Sequence, residues 1–263
     1  MTEPETPEGA AIEPRKAADS LIGGTETLSV RGLPLRAFQV GLSAEALALA
    51  WARQQNAPAG AAVVVVNEVS PRGRAGRLWP HPADDTLAFA VILRPTLSAD
   101  DANAVWLAAG VAVTSGAGLV SDRELATCWP DQVIDVASGE EVAMTKAEIQ
   151  LGPGQVRSAV ATVRLSVSRL GLDPEQRGDL LEALLASFAE VAEELSEQPT
   201  GVAAMYEGRC SLVGSRIKVV LLPKGETRGV VRGVDPMGRL RLESGTGMIE
   251  HLEINTVRSL EVV

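Results

Sequence analysis

The chain has 263 residues, a net charge of −10 and an apolar fraction of 46 %. This length fits one or two domains, and the apolar fraction is sufficient for a sizeable core. The acidic balance argues against a general nucleic-acid binder, and the chain contains neither a signal-peptide pattern nor an apolar run of the roughly 18 to 20 residues that a membrane helix needs. We therefore expect a cytoplasmic protein that binds neither nucleic acid nor membrane.

Metal-binding residue types are sparse. The chain has two cysteines, Cys128 and Cys210, and two histidines, His81 and His251. These counts exclude a disulfide scaffold and a cysteine-rich metal centre, although carboxylates alone could still hold a cation. We predict no metal site. Cys128 is predicted to be a small buried residue rather than a nucleophile, because no histidine lies near it in sequence.

The first half of the chain shows a change of pattern after an acidic beginning. Residues 1–27 are rich in Glu, Pro and Thr, lack periodicity and are predicted to form a mobile tail. Ser43 is a plausible N-cap for a helix over residues 44–54. Apolar runs bounded by turn residues predict strands that are buried on both faces. These runs span residues 61–66 and 87–93, after a first strand at 35–40.

The second half begins with a predicted helix over residues 100–116. Strands are predicted at 133–136 and 142–151, and the alternation over 156–167 predicts a half-buried strand. Asp173 and Gln176 form a capping-box pattern at the start of a long helix, and Pro199 with Gly201 marks its end. From about residue 205 the chain consists of short strand-like pieces separated by Gly and Pro turns, which predicts a small sandwich or barrel.

A loop rich in Arg and Gly joins the two buried strands. Three guanidiniums within six residues repel one another unless an anion neutralises them, and arginine forks hold phosphate or carboxylate through paired hydrogen bonds. Intervening glycines let the backbone approach a ligand closely. The residues are Arg72, Gly73, Arg74, Gly76 and Arg77, followed by Trp79. The pattern predicts an anion-binding loop, with a solvated loop that forms salt bridges to this acidic protein as the alternative.

The segment RGRAGRLW resembles the Arg-Gly-Arg-x-Gly-Arg-x-Trp signature of biotin protein ligases. Its surroundings are similar as well, with VVVVNEV before it and HPADDTLAFAVILRP after it. The later tetrapeptide CWPD at 128–131 resembles the Lys-Trp-Pro-Asn-Asp motif of that family. The final segment, GSRIKVV to GVVRGVDPMGRLRLESG, is similar to the small β-barrel appended to those ligases. The resemblance covers roughly residues 28–263.

The resemblance implies an α/β (α+β) fold of the class II synthetase-like type. A mixed β-sheet with flanking helices on one side would be followed by a small C-terminal β-barrel. The implied division is a tail at 1–27, a biotin/lipoate ligase-like catalytic-type domain at 28–200, and the barrel at 205–263. The acidic tail lacks periodicity, so we expect no helix-turn-helix segment before residue 28 and no DNA-linked repression.

The resemblance also implies a two-step reaction. ATP, with Mg, would adenylate a small carboxylic acid such as biotin or lipoate, releasing pyrophosphate, and a lysine of an acceptor protein would then take the acyl group with release of AMP. The loop residues would hold the adenylate. In that arrangement Arg72, Arg74 and Arg77 contact phosphate or carboxylate, Gly73 and Gly76 permit close approach, and Trp79 packs on the purine or closes the pocket.

Two of the family's motifs depart from their usual residues here. In the Trp-Pro motif, Cys128 replaces Lys, Asp131 replaces Asn and Gln132 replaces Asp. In the following Lys-x-x-Gly-x-Leu motif, the preferred alignment puts Glu141 at the lysine and Met144 at the glycine.

Trp129, Asp131 and Glu141 are accordingly predicted as pocket residues, and the catalytic residue stays unassigned. A shifted alignment makes Lys146 a weaker catalytic candidate. Two functions remain open: a divergent ligase whose activity is doubtful because the motif lysines are lost, and a non-catalytic relative that binds a nucleotide, an acyl-adenylate or a protein partner.

Overall fold

The computed structural model describes residues 26–263. Eight strands form one mixed sheet in the order β1-β2-β3-β4-β8-β7-β6-β5. Only β2 and β3 run parallel; every other neighbouring pair is antiparallel. The strands are β1 (Glu26–Val30), β2 (Leu33–Gly41), β3 (Ala62–Glu68), β4 (Thr86–Leu93), β5 (Leu125–Cys128), β6 (Gln132–Asp135), β7 (Glu141–Leu151) and β8 (Val156–Ser166). The predicted mixed-sheet fold class is confirmed.

Helices cover both faces of this sheet. They are α1 (Ala44–Gln54), α2 (Ala104–Ala117), α3 (Arg177–Glu197) and α4 (Pro199–Glu207). Helix α1 packs on one face in a small core that includes Val63, Ile92 and Val160. The other three helices pack on the opposite face in the main core. The expectation of helices on one side only is therefore wrong, because the central strands are apolar on both faces and each face needs a cover.

The central strands are largely buried. Strands β3 and β4 were expected to be buried on both faces, which holds for residues 62–65 and 87–93, whereas residues 66–68 at the end of β3 are half-buried. Strand β8 was expected to be half-buried, but ten of its eleven residues are buried. Its alternation reflects polar residues, Thr162 and Arg164 among them, that face α1 and the Arg/Gly loop instead of solvent.

Two predicted helix starts are confirmed, whereas the helix predicted over 100–116 begins later, at Ala104. The Ser43 hydroxyl accepts a hydrogen bond from the Ala46 amide at 3.1 Å. The Gln176 side chain accepts from the Asp173 amide at 2.9 Å, as a capping box requires. Helix α3 ends at Glu197, just before Pro199 as expected, and Pro199 itself opens helix α4. Proline suits the first turn of a helix because its missing N–H is not needed there.

A second sheet follows α4. Its five antiparallel strands have the order β12-β11-β10-β9-β13. They are β9 (Arg216–Leu221), β10 (Glu226–Val234), β11 (Leu240–Glu243), β12 (Ile249–Leu252) and β13 (Val257–Val262). Within the described residues the outer strands β12 and β13 do not pair, so this unit is an open sheet and not the closed barrel that was expected. Its apolar residues belong to the same core as α2 to α4.

The predicted tail lies outside the described residues except at its end. Glu26 and Thr27, assigned to the tail, pair with Ala37 and Arg36 in the first hairpin, so the sheet begins earlier than expected. The domain limits 28–200 and 205–263 stay predictions. In the described part of the chain, no helix has the length and apolar character to cross a membrane.

Candidate anion-binding site

The Arg/Gly loop leaves the sheet where two strands diverge. Strand β3 pairs with β4 only as far as Val64 opposite Phe89. Beyond that point β3 continues beside β2 as far as Glu68, while β4 stays paired with β8 down to Thr86. The segment between Glu68 and Thr86 therefore spans the opening between the strands. A rigid sheet positions both ends of the loop.

The loop is a closed turn. Arg72 and Leu78 form an isolated antiparallel bridge. Inside it, the Gly73 amide donates to the Arg77 carbonyl at 2.7 Å, and the Arg77 amide donates to the Arg74 carbonyl at 3.1 Å. Gly76 has a φ of +77°, in the left-handed region that glycine adopts without strain. These bonds fix the directions in which the arginine side chains leave the backbone.

Two buried side chains support the loop from below. A Cβ at Gly73 would lie 2.3 Å from Met144 Sδ, so glycine is required for the loop to lie this close to β7. Arg164 is 1 % exposed; its Nη2 lies 2.9 Å from Glu68 Oε1 and its Nη1 donates to the Arg72 carbonyl at 3.3 Å. The Glu68 carboxylate also accepts from the Ala44 amide at 2.7 Å, at the start of α1. The loop therefore rests on a buried ion pair.

Two of the loop arginines converge on carboxylates of the same chain. Arg77 forms a two-point ion pair with Glu141, with Nη2–Oε1 at 2.8 Å and Nη1–Oε2 at 2.9 Å. Arg77 Nη2 is also 3.5 Å from Asp131 Oδ2, and Arg74 Nε is 3.7 Å from the same oxygen. Arg74 Nη1 donates to the carbonyl of Val257 in the second sheet. The structure thus brings Arg74 and Arg77, but not Arg72, together with Asp131 and Glu141.

Burial sets the electrostatics of this cluster. Burial raises the pKa of Asp131, although the charges of Arg77 and Arg74 act in the opposite direction. Burial also lowers the pKa of Arg74, against the charge of Asp131. For Arg77, burial alone would lower the pKa, but the contacts with Glu141 and Asp131 outweigh it and the pKa is raised. Arg77 is therefore the guanidinium that these carboxylates hold most firmly.

The two predicted tryptophans are enclosed. Trp79 is 6 % exposed; its Nε1 donates to Thr86 Oγ1 at 2.9 Å and its ring centroid is 4.6 Å from that of His81. Trp129 is fully buried, and its Nε1 donates to the Gly238 carbonyl at 3.0 Å, in the turn between β10 and β11. Trp79 thus anchors the end of the loop, and Trp129 ties the segment before Asp131 to the second sheet.

The remaining candidates lie outside the arginine cluster. Lys146 Nζ is 2.8 Å from Glu45 Oε1 and 2.8 Å from Glu148 Oε1, which are the carboxylates it pairs with in the described structure. Cys128 is partly buried, and burial raises the pKa of its thiol to about 11. Gln132 begins β6. Among the described residues, no group of three or more His, Cys, Asp or Glu side chains could hold a metal ion.

The sequence reasoning missed Arg164 and Glu68. Part of the signal was present, because Arg164 lies between the apolar residues Val163 and Leu165 and Glu68 follows shortly after a run of four valines. A charge in such a strand requires a buried partner. The contact of Arg74 with Val257 had no comparable signal, because 183 residues separate the two.

No protein-family model matches the chain. Three curated proteins do, two of them as follows. The bifunctional ligase/repressor BirA of Bacillus subtilis is 24 % identical over 219 residues, covering 73 % of this chain and 64 % of that protein. The biotin–[acetyl-CoA-carboxylase] ligase of Mycobacterium tuberculosis is 29 % identical over 203 residues, covering 71 % of this chain and 74 % of that protein. The chain therefore spans somewhat less than two thirds of the Bacillus relative.

The fold agrees with the sequence similarity. The structure of biotin protein ligase from Aquifex aeolicus in complex with biotin and ATP superposes with a TM-score of 0.71 at 18 % identity, over 87 % of this chain and 99 % of that one. At this identity the likeness is one of fold. Together with the similarity to the curated ligases, it supports a member of the biotin protein ligase family.

Proposed function

We propose that this chain binds an acyl-adenylate, or a nucleotide of similar chemistry, beneath the Arg/Gly loop, as a biotin protein ligase-like protein. The support is the convergence of Arg74 and Arg77 on the carboxylate of Asp131. Two guanidiniums that share one oxygen can instead share an oxygen of a phosphate, which has a similar size and charge. A small molecule is thus the first expected partner.

We further propose that the bound ligand is turned over weakly or not at all. The observation that carries this proposal is the ion pair between Arg77 and Glu141. In the preferred alignment Glu141 occupies the position of a family lysine, and a carboxylate there repels a phosphate instead of stabilising the charge that develops on it during transfer. Met144 adds bulk under Gly73, where the alignment expects glycine.

An active ligase is the second candidate. It would use ATP, with Mg, to adenylate biotin or lipoate and would pass the acyl group to a lysine of an acceptor protein. Its support is the similarity, over 71 % of the chain, to a curated protein named as a biotin ligase. Biotin and ATP are the ligands to try first, because the structure from Aquifex aeolicus contains both.

ATP–pyrophosphate exchange distinguishes the two candidates. The purified chain is assayed with biotin, lipoate and octanoate in turn, and a non-hydrolysable adenylate analogue is tested in parallel for a shift in melting temperature. We expect no exchange with any of the acids. We also expect the analogue to raise the melting temperature of wild type but not that of Arg74→Ala. Exchange that depends on one acid would instead establish an adenylating enzyme. If the analogue stabilises Arg74→Ala as much as wild type, the loop is not part of the binding site.

A further inference from the structure

On the basis of the proposed function, we propose that the site selects a phosphate ester with a single negative charge over a polyphosphate nucleotide. Asp131 and Glu141 are the specificity-determining residues. An acyl-adenylate, which is a phosphate ester with one charge, belongs to the favoured class, whereas ATP belongs to the disfavoured class. This preference depends on which charges near the loop already have a partner of opposite sign within the chain.

The two carboxylates are fixed parts of the site. The side chains of Asp131 and Glu141 are 7 % and 17 % exposed, so neither can turn freely into solvent. The backbone carbonyl of Asp131 accepts from the Thr145 amide at 2.8 Å, and that of Glu141 accepts from Arg169 Nη1 at 2.8 Å. Both carboxylates therefore remain beside the loop when a ligand binds.

The surrounding charges form pairs of opposite sign. Arg164 is paired with Glu68 below the loop, and Arg169 lies 3.7 Å from Glu140. In the loop, Asp131 and Glu141 compensate Arg74 and Arg77.

Arg72 differs from its neighbours. Its Nε and Nη1 contact Ser70 Oγ at 3.3 Å and the Gly76 carbonyl at 3.4 Å. No carboxylate of the described residues lies within 4.0 Å of its guanidinium. The loop thus offers an incoming ligand one uncompensated positive charge.

A ligand with one negative charge matches this balance. Its single negative charge is balanced by Arg72. Its oxygens can accept hydrogen bonds from Arg74 and Arg77 beside the carboxylates, so the site gains no excess negative charge. Each additional charge of a polyphosphate would lie near the buried carboxylates, where water screens repulsion poorly. The positions of Asp131 and Glu141 therefore penalise ATP more than they penalise a phosphate ester.

Calorimetric titration of the full chain tests this preference. The probes are the 5′-phosphate methyl ester of adenosine, AMP and ATP, in metal-free buffer at constant ionic strength. We expect the methyl ester to bind wild type at least as tightly as ATP. Glu141→Gln is expected to strengthen ATP binding by about tenfold or more while changing methyl ester binding by less than about threefold.

The matched control is Glu140→Gln. Glu140 precedes Glu141, but its side chain is 57 % exposed and its partner is Arg169. This variant should leave the binding ratio of the two ligands unchanged. Asp131→Asn serves as the second variant if Glu141→Gln does not fold, and its ratio should move in the same direction.

Two results would overturn the proposal. One is ATP binding to wild type more tightly than the methyl ester. The other is an equal change for all three ligands in Glu141→Gln and Asp131→Asn. If neither the three nucleotides nor the adenylate analogue binds, the proposed function itself fails. If binding requires Arg74 but favours ATP, only the charge preference fails.

Discussion

Glu141 and Arg77 form a two-point ion pair, with contacts of 2.8 Å and 2.9 Å, although 64 residues separate them in the chain. The pair joins the first residue of β7 to the turn that spans the opening between β3 and β4. The pair holds the loop in place and gives the Arg77 guanidinium a charged partner from the same chain. The carboxylate therefore occupies a position from which it influences every anion that approaches Arg77.

Restoring the lysine and glycine of the family motif at positions 141 and 144 should restore adenylation activity. In the double variant Glu141→Lys/Met144→Gly, a positive side chain replaces the carboxylate, and the space under Gly73 opens. We expect ATP–pyrophosphate exchange with biotin to become measurable, at about tenfold or more above the background seen with wild type, since one electrostatic contact in a transition state is worth at least that much. Glu140→Lys adds the same charge one residue earlier and should give no increase. Unchanged exchange in a folded double variant would contradict the alignment of Glu141 with the family lysine.

Arg74 and Arg72 should differ in their contribution to stability. Arg74 contacts Asp131 and the Val257 carbonyl and is only 14 % exposed, whereas Arg72 is exposed and makes long hydrogen bonds. We expect Arg74→Ala to lower the free energy of unfolding by about 1 to 2 kcal/mol. Arg72→Ala should change it by less than about 0.5 kcal/mol. Urea unfolding measures both, and equal losses would contradict the assigned contacts.

The buried pair of Arg164 and Glu68 predicts a strong single-variant effect. Arg164→Met leaves the Glu68 carboxylate, 4 % exposed, without its guanidinium. The expected loss in the free energy of unfolding is about 3 to 5 kcal/mol, because an uncompensated charge stays buried.

Adding Glu68→Gln removes that charge and should recover part of the loss. Urea unfolding of the single and double variants gives the comparison. A double variant less stable than Arg164→Met would show that Glu68 acts mainly on the Ala44 amide, with which it also bonds.

The turn at Gly238 couples the second sheet to the site. Gly238 has a φ of +83°, and a Cβ there would lie 2.6 Å from the Asn103 carbonyl oxygen at the start of α2. Gly238→Ala should therefore lower the free energy of unfolding by about 2 kcal/mol or more, from backbone strain, overlap and displacement of the Trp129 partner. Gly245→Ala is the control, since a Cβ there meets nothing within 4 Å. Thermal unfolding measures both, and similar melting temperatures would contradict close docking of this turn.

Cys128 should react slowly with thiol reagents. Burial raises the pKa of its thiol to about 11, so at pH 8 roughly one thiol in a thousand is ionised. We expect alkylation by iodoacetamide at pH 8 to be about a hundredfold slower than that of a small free thiol, and to accelerate towards pH 10. Peptide mass spectrometry separates Cys128 from Cys210. Fast labelling of Cys128 at pH 7 would indicate an activated nucleophile and contradict its assignment as a small buried residue.

Local patterns in the sequence predicted the elements that carry the fold. Valine runs predicted β3 and β4, Ser43 predicted the start of α1, and the Asp173 pattern predicted the start of the long helix. Each of these signals acts over a few residues, through burial or a capping hydrogen bond. The Arg/Gly segment likewise identified the loop, because closely spaced cations repel one another unless anions lie nearby.

Only the tertiary structure decided what compensates those cations. Asp131, Glu141 and Val257 reach the loop from the turn between β5 and β6, from β7 and from the second sheet, at separations of 54 to 183 residues. Local composition carries no information about such pairings, because they depend on which strands the fold brings together. The polar face of β8 was misassigned for the same reason: its cover is a helix about 110 residues earlier in the chain. The sequence determined which charges exist, and the fold determined which of them remain for a ligand.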